Sequence, residues 1–398
     1  MYSLFCRVCQ FFMKLANYLL PYANPTELTG LGAAEKIPEI LKEKGICTVL
    51  VVTGRHITAR ELNRPMLEAL AAANIRAVLF TEMAGNPTDQ DVEKGYALYC
   101  RENCRAIIAF GGGTPMDCAK AIAAKVARPR RTVAQLQGLL KVRRPIPLLI
   151  AVPTTAGTGS ETTIAAVITV TATHHKASLN DPVLMPRYAV LDPSLTTVLP
   201  PEITATSGLD ALCHAVEAYT NHTYCTPLES DLARKAVKLI YDNLLIAYRD
   251  GSNLAARQHL LTASFYAGRA FTRGCVGYVH AVGHTLGGLY NLSHGMAMAI
   301  LLPHVMRRYG AAAVPRLAEL ARYCGLPGAT PQEQAEAFLC WIEEAKRQMQ
   351  IPEKVAGIRE EDIPQMAAWA CREANPLYPV PVIWQEKDFV DFIRQIRA

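Results

Sequence analysis

Between Val279 and Gly295 the chain reads VHAVGHTLGGLYNLSHG, a stretch holding three of its ten histidines. His280 and His284 stand four apart, so on a helix they share one face. Upstream, SGLDALCHAVEAY sets Asp210 and His214 at the same spacing. One carboxylate and three imidazoles suit Fe(II) or Zn(II) by ligand type, and an open coordination position would make such an ion a Lewis acid. His294 cannot simply extend the helix of His280, because fourteen residues of straight helix span roughly 21 Å. Gly287-Gly288 and the following NLS are expected to break the helix and fold His294 back. The competing reading, for either pair alone, is a set of helix residues satisfied by ordinary hydrogen bonds. Their grouping in one helical region favours the ion. His304, in LLPHVMRRY, is expected to be a packing or surface histidine.

A second kind of chemistry lies further upstream. AFGGGTPMDCAKAIAAK (109–125) reads as a strand, three glycines, and a helix capped by Thr114 with Pro115 in its first turn. Bare glycines let a ligand approach the backbone, and a helix N-terminus offers unpaired N–H groups to a pyrophosphate. VPTTAGTGSE (152–161) is a second glycine- and hydroxyl-rich loop after a strand. Neither loop spells G-x-G-x-x-G, and no loop carries G-K-[ST]. A dinucleotide on a variant fold fits better than a nucleoside triphosphate.

These loops need elements to hold them. CTVLVVTG (47–54), IRAVLFTE (75–82), RAIIAFGGG (105–113) and PLLIAVPTT (147–155) have the continuous apolar runs of strands buried on both faces. ELNRPMLEALAAAN and TDQDVEKGYALYCREN between them read as helices. The alternation predicts a doubly wound α/β domain with a mostly parallel sheet, a Rossmann-like variant, over 25–199. After LDPSLTTVLPPEITATSG (191–208) long helical periods take over, and 200–398 is expected to be an all-α domain interrupted at Pro227, Gly274, Pro303, Pro327 and Pro352. A cleft between the two would hold the ligands.

Residues 1–24 stand apart. Leu4, Val8, Phe11, Phe12, Leu15 and Leu19 recur at helical spacing opposite Arg7, Gln10, Lys14 and Asn17. Interior charges argue against a membrane span or signal peptide. An amphipathic helix packing on the body or on a second subunit is expected, with a docking tag as the other reading. With 398 residues, 51% hydrophobic, two domains are natural. A net charge of +6 without any basic run argues against nucleic acid. Twelve cysteines in no repeating frame read as reduced thiols of a cytoplasmic protein.

GGGTPMD, PTTAGTGSE, SGLDALCHAVEAY and HAVGHTLGGLYNLSHGMAMAILLPHV, in this order, resemble the motifs of the iron-containing (group III) alcohol dehydrogenases. The resemblance runs from about residue 25 to near the C-terminus. It implies a dehydroquinate synthase-like architecture and hydride transfer between a nicotinamide cofactor and a small primary alcohol or aldehyde. It implies metal ligation by Asp210, His214, His280 and His294, with His284 near the substrate as the catalytic proton-relay or polarising group. Fe(II) is the implied metal, and Zn(II) fits the same ligands. Gly112, Gly113, Thr114 and Asp117 would hold the pyrophosphate and ribose, closed by Thr154, Thr155 and Thr158. Asn86 and Lys176 match further cofactor positions. Two departures from the family pattern carry information. Gly54 stands after the first strand, where NAD-preferring members have Asp, and Arg55 follows it. That pair implies NADP(H) over NAD(H). Arg273 replaces a small amide and reads as an internal ion pair, or less simply as an anchor for an acidic substrate. A homo-oligomer, a dimer, is expected. A glycerol-dehydrogenase-like polyol oxidoreductase is the runner-up, and a dehydroquinate-synthase-like lyase is the reading from another class.

Overall fold

The structure, a computed structural model, describes the chain apart from residues 21, 84, 173, 174 and 222; the side chains of 175–177 also lie outside the described set. Two compact units form. Pro21–Val198 is one, and Met1–Leu20 joins Leu199–Ala398 in the other. The chain starts with helix α1 (Tyr2–Leu19), which therefore belongs to the helical unit.

In the α/β unit the strands are β1 (Thr26–Thr29), β2 (Thr48–Thr53), β3 (Arg76–Phe80), β4 (Ala106–Gly111), β5 (Gly138–Leu139), β6 (Leu148–Pro153), β7 (Ala165–Val170), β8 (His175–Asn180) and β9 (Tyr188–Leu191). Six of them make an all-parallel sheet in the order β1-β9-β6-β4-β2-β3. Alternate side chains explain why the apolar runs are unbroken. Leu50, Val52, Ile107 and Ala109 enter one core, and Val49, Val51, Ile108 and Phe110 enter the other. Helices α2 (Ile37–Glu43), α3 (Arg55–Ala59), α4 (Arg64–Ala72), α5 (Asp89–Arg101) and α6 (Gly113–Ala127) belong to this unit. Each fully buried Val, Leu or Ile contributes roughly 1.5–3 kcal/mol. The order reverses direction between β2 and β4, because β2 leads outward to β3 and the chain then returns to β4 on the other side. Ligands of open α/β sheets bind beyond the strand C-termini at such a point. A feature not anticipated is a three-stranded sheet, β5-β8-β7, in which β7 and β8 run antiparallel. Val167 is exposed between buried Ala166 and Ile168, the alternation of a one-sided strand.

The helical unit contains α7 (Pro201–Asn221), α8 (Pro227–Arg249), α9 (Leu254–Gly274), α10 (Tyr278–Tyr290), α11 (His294–Tyr309), α12 (Val314–Cys324), α13 (Pro331–Gln348), α14 (Ile363–Ala374) and α15 (Glu386–Ile396). Nearly every residue of α7 from Thr204 onward is buried, so it is the central helix of the unit. Pro303 does not interrupt as expected; it lies inside α11, buried, and the helix runs through it. Among the described residues, no helix is long and apolar enough to cross a membrane.

The orientation of α1 is the reverse of a helix docking by its apolar side. Arg7 donates to the carbonyls of Val380 (2.8 Å) and Pro381 (2.7 Å). Gln10 donates to Tyr378 O at 2.7 Å, and Asn17 donates to Arg273 O at 3.0 Å. The apolar residues are exposed.

Lys120 on α6 is fully buried, and its ammonium donates to Ser160 Oγ (3.1 Å), Thr163 Oγ1 (2.7 Å) and Ala165 O (2.9 Å). Lys120→Met strands these acceptors and should cost about 2–3 kcal/mol of stability. Burial holds the Lys120 ammonium at about 8, below its ordinary value of 10.5. As pH rises through that window the unfolded chain binds more protons than the folded one, so this group makes the wild type more stable. Urea titrations at about pH 8 and about pH 10 should show the gap to Lys120→Met widening. A gap that narrows would contradict the assignment.

Candidate metal centre and nucleotide loops

Asp210 and His214 lie one turn apart on α7, His280 lies in the first turn of α10, and His294 opens α11. Ligand atoms of these four residues all fall within 4.8 Å of one another. Asp210 Oδ1 is 3.4 Å from His294 Nε2 and 4.0 Å from His214 Nδ1, while His214 and His280 bring their Nε2 atoms to 3.0 Å. Asp210, His214 and His280 are buried, and His294 is exposed.

The turn that delivers His294 differs from the one expected. Gly287 and Gly288 stay inside α10, and the chain turns at Asn291, whose φ of 52° is left-handed. Asparagine tolerates that region through local hydrogen bonding of its side chain. Gly295 then permits a close approach, because a Cβ there would sit 2.6 Å from the Thr206 carbonyl of α7. The residue after the histidine is thus glycine because two helix backbones nearly touch.

Burial disfavours the imidazolium at His214, pushed down to about 3, and at His280, pushed well below its ordinary value. Both present lone pairs, as metal ligation requires. Among the described residues, buried His214 Nδ1 and Asp210 Oδ1 lack a well-directed hydrogen bond, and Asp210 Oδ1 faces the His294 and His214 rings at 3.4 and 4.0 Å. Such atoms cost about 1–3 kcal/mol each. A cation bound among the four donors removes that cost, so the residues fit a divalent metal.

Glu217 is the residue missed in the sequence. It is fully buried; its Oε2 lies 2.5 Å from His280 Nδ1, and its Oε1 accepts the Val279 N–H at 2.8 Å. Nδ1 therefore carries the proton, and Nε2 faces the other ligands with its lone pair. The signal was available, since Asp210, His214 and Glu217 follow the i, i+4, i+7 pattern of one helix face.

His284 is outside the ligand set. Its Nδ1 lies 2.7 Å from Glu373 Oε1 on α14, and Tyr378 donates its hydroxyl to the same oxygen at 3.0 Å. The His284 ring stacks at 5.4 Å on that of His294. Glu373 had no sequence signal, being remote in the chain and in no motif. Arg273 lies 3.5 Å from Glu229 and donates to Asn17 O, an internal ion pair. His304 Nε2 contacts Glu353 O at 2.8 Å, a packing role.

In the α/β unit, α6 starts at Gly113 with Gly112 as its cap, two residues before the expected Thr114 cap, and the cap residue has no side chain to accept from the first turn. The two glycine loops meet. Thr154 N–H donates to Gly111 O at 3.1 Å, and Cβ atoms on Gly112 and Gly113 would come within 3.2 Å of Thr155 Oγ1 and Thr158 Cγ2. Gly111 has φ of 147°, which aims the chain into the helix. Asp117 accepts from Ser160 Oγ and the Val167 N–H, both at 3.1 Å, and so ties α6 to the second loop. Gly54 caps α3, Arg55 is its exposed first residue, and Asn86 is exposed on a loop. The Lys176 side chain lies outside the described residues.

Comparison with known proteins bears on both units. The family described as "Iron-containing alcohol dehydrogenase" matches residues 25–193, and "Fe-containing alcohol dehydrogenase family, C-terminal" matches 204–396. The chain is 35% identical to the 1,3-propanediol dehydrogenase of Klebsiella pneumoniae over 388 residues, 96% of this chain and 99% of that protein. It is 34% identical to the NAD-dependent methanol dehydrogenase of Bacillus methanolicus over 370 residues, 91% of this chain and 96% of that one. A crystal structure of 1,3-propanediol oxidoreductase superposes with a TM-score of 0.90 at 34% identity, covering 95% of this chain and 100% of that chain.

Removing the Glu217 carboxylate tests the geometry directly. Glu217→Ala frees His280 to change tautomer and should weaken Fe(II) or Zn(II) binding about 10–100-fold. Glu217→Gln keeps an acceptor and should lose less. Competition against a chelating dye measures both, and unchanged affinity in Glu217→Ala would remove Glu217 from the site.

Proposed function

The chain belongs to the iron-containing alcohol dehydrogenases and is an NAD(P)-dependent oxidoreductase acting on CH–OH groups, and from that premise we propose which residues carry the reaction. Asp210, His214, His280 and His294 hold one divalent ion, iron in keeping with the family, though the donor set also accepts zinc. The observation that carries this reading is the convergence of their ligand atoms within 4.8 Å. Bound there, the ion supplies Lewis-acid stabilisation of negative charge on a substrate oxygen.

The chain's own groups supply binding and proton transfer. Gly112, Gly113 and Thr114 offer uncapped N–H groups of α6 to the cofactor pyrophosphate. Thr154, Thr155 and Thr158 offer hydroxyls from the second loop, which Asp117 holds against α6. Asn86, exposed on its loop, adds a further cofactor contact. His284 donates Nδ1–H to Glu373, which leaves Nε2 to take the hydroxyl proton in oxidation and return it in aldehyde reduction. The substrates are small primary alcohols and aldehydes, and the two relatives named above carry methanol and 1,3-propanediol in their names. Free thiols at all twelve cysteines support a cytoplasmic setting.

Cofactor choice is read from the turn after β2. A Cβ on Gly54 would meet nothing within 4 Å, so the position is open, and the neighbouring Arg55 is exposed. No carboxylate there repels a 2′-phosphate, and a guanidinium suits one. We propose NADP(H) over NAD(H).

Two experiments test this reading. Asp210→Ala should lose both metal and turnover with short aldehydes, whereas His284→Ala should keep stoichiometric metal and lose about 10²–10⁴-fold in kcat. Loss of metal from His284→Ala would put it among the ligands and overturn its relay role. For the cofactor, kcat/KM measured at one ionic strength should favour NADPH, with Arg55→Ala eroding the preference about 10–100-fold. Gly54→Asp should reverse it. An unmodified enzyme that prefers NADH would show that Gly54 is merely permissive.

A further inference from the structure

We propose, on the basis of the relay role of His284, that α1 positions this histidine. Arg7 and Gln10 anchor the segment 376–381, and through its Tyr378 they fix Glu373 against the imidazole. Arg7, Gln10 and Tyr378 are positioning residues, since none of them touches the reacting groups.

The pair of His284 and Glu373 needs such an anchor. Their side chains are 44% and 33% exposed, so packing alone does not hold them in register. Exposed pairs of this kind are weak unless other contacts fix their members. The other contact on Glu373 is Tyr378, whose hydroxyl donates to the same Oε1 that faces His284 Nδ1. Burial pushes the Tyr378 phenol well above its ordinary value of 10, so it stays a donor.

Tyr378 sits where the chain cannot support itself. Between α14 and α15 it reads NPLYPVPVIWQ (375–385), with neither helix nor strand, and prolines at 376, 379 and 381 remove three N–H donors. Its carbonyls are met by side chains instead. Gln10 Nε2 donates to Pro376 O (3.2 Å) and Tyr378 O (2.7 Å), and Arg7 forks over Val380 O (2.8 Å) and Pro381 O (2.7 Å). Arg7 Nη1 also donates to Gln10 Oε1 at 2.9 Å, so each donor steadies the other.

The far end of α1 grips the second chain segment that leads to the relay. Gln10 and Asn17 are seven residues apart, on one helix face, and both are buried. Asn17 Nδ2 donates to Arg273 O at 3.0 Å, and Arg273 Nη1 donates back to Asn17 O at 3.3 Å. Arg273 lies in the last turn of α9, just before α10 with its His284. One helix therefore braces both the entry to α10 and the exit from α14.

The experiment uses the full-length, metal-loaded enzyme with propanal, assayed with NADH and with NADPH. Gln10→Leu removes the donor at similar volume, and Tyr378→Phe removes only the hydroxyl. Each should lower kcat about tenfold, with KM for propanal within about twofold and metal still stoichiometric. Arg7→Lys keeps the charge but loses the fork, and should lower kcat by a smaller factor. If Gln10→Leu does not fold, Arg7→Lys carries the test of α1. In a His284→Ala background each change should cost less than about twofold, because residues acting through one group are not additive. A merely stabilising helix would lower Tm and leave kcat per metal-loaded molecule unchanged. Unchanged kcat in Tyr378→Phe or in the folded α1 variants, or full losses retained in His284→Ala, would overturn the positioning role while the relay stands. A His284→Ala enzyme with undiminished kcat removes the relay and this role together.

Discussion

The candidate site depends on one face of α7, where Asp210, His214 and Glu217 project from a helix that is buried almost all round. Buried carboxylates and imidazoles are costly unless each finds a partner. Glu217 finds His280 and a backbone N–H, so its cost is met within the protein. Among the described residues, Asp210 and His214 each keep a buried atom that no well-directed hydrogen bond satisfies. The asymmetry has a simple physical sense. One end of the face is closed by hydrogen bonds and orients the ligands, and the other end is left for a cation to close.

Geometry at this face then dictates its neighbours. Phe271 stacks on His214 at 4.2 Å, so the ring has little room to rotate. Gly295 lets α11 approach the α7 backbone closely enough for His294 to join the cluster. His284 sits one turn after His280, where it reaches Glu373 and not the ligand atoms. The same helix α10 thus carries two imidazoles whose Nδ1 atoms both face carboxylates, one buried and one partly exposed. A buried carboxylate suits a ligand that must not move, and a more exposed one suits a group that exchanges protons.

Much of this was legible in the sequence, and the reasons for the gaps are specific. Unbroken Val/Ile/Leu runs identified β2, β3, β4 and β6 because a parallel sheet covered on both faces needs apolar residues at consecutive positions. The β7–β8 pair escaped because one-sided alternation over a polar run is a weak signal. The i, i+4 spacings exposed Asp210, His214, His280 and His284, since helix periodicity alone makes them neighbours. His294 needed a turn, and the turn was assigned to Gly287-Gly288 where the structure uses Asn291. A glycine permits a break without requiring one, and the helix continued because its backbone hydrogen bonds cost nothing to keep. Glu373 was beyond reach, because only tertiary packing brings α14 beside α10.

α1 shows the limit of reading amphipathicity as burial. An apolar stripe opposite polar residues normally places the stripe inside, since burying it stabilises the fold by roughly 25 cal/mol per Å². Here the polar side is inside, because Arg7, Gln10 and Asn17 meet carbonyl groups that a loop or helix end leaves without partners. Val380 and Pro381 lie outside any helix or strand, and Arg273 is in the last turn of α9, where intrahelical acceptance has ended. Charge-assisted bonds to such carbonyls are among the stronger ones a side chain makes. The helix is therefore held by directional bonds on one side, and its hydrophobic surface remains unspent on the other. A periodic pattern identifies two faces of a helix, and the acceptors waiting on the protein decide which of them turns inward.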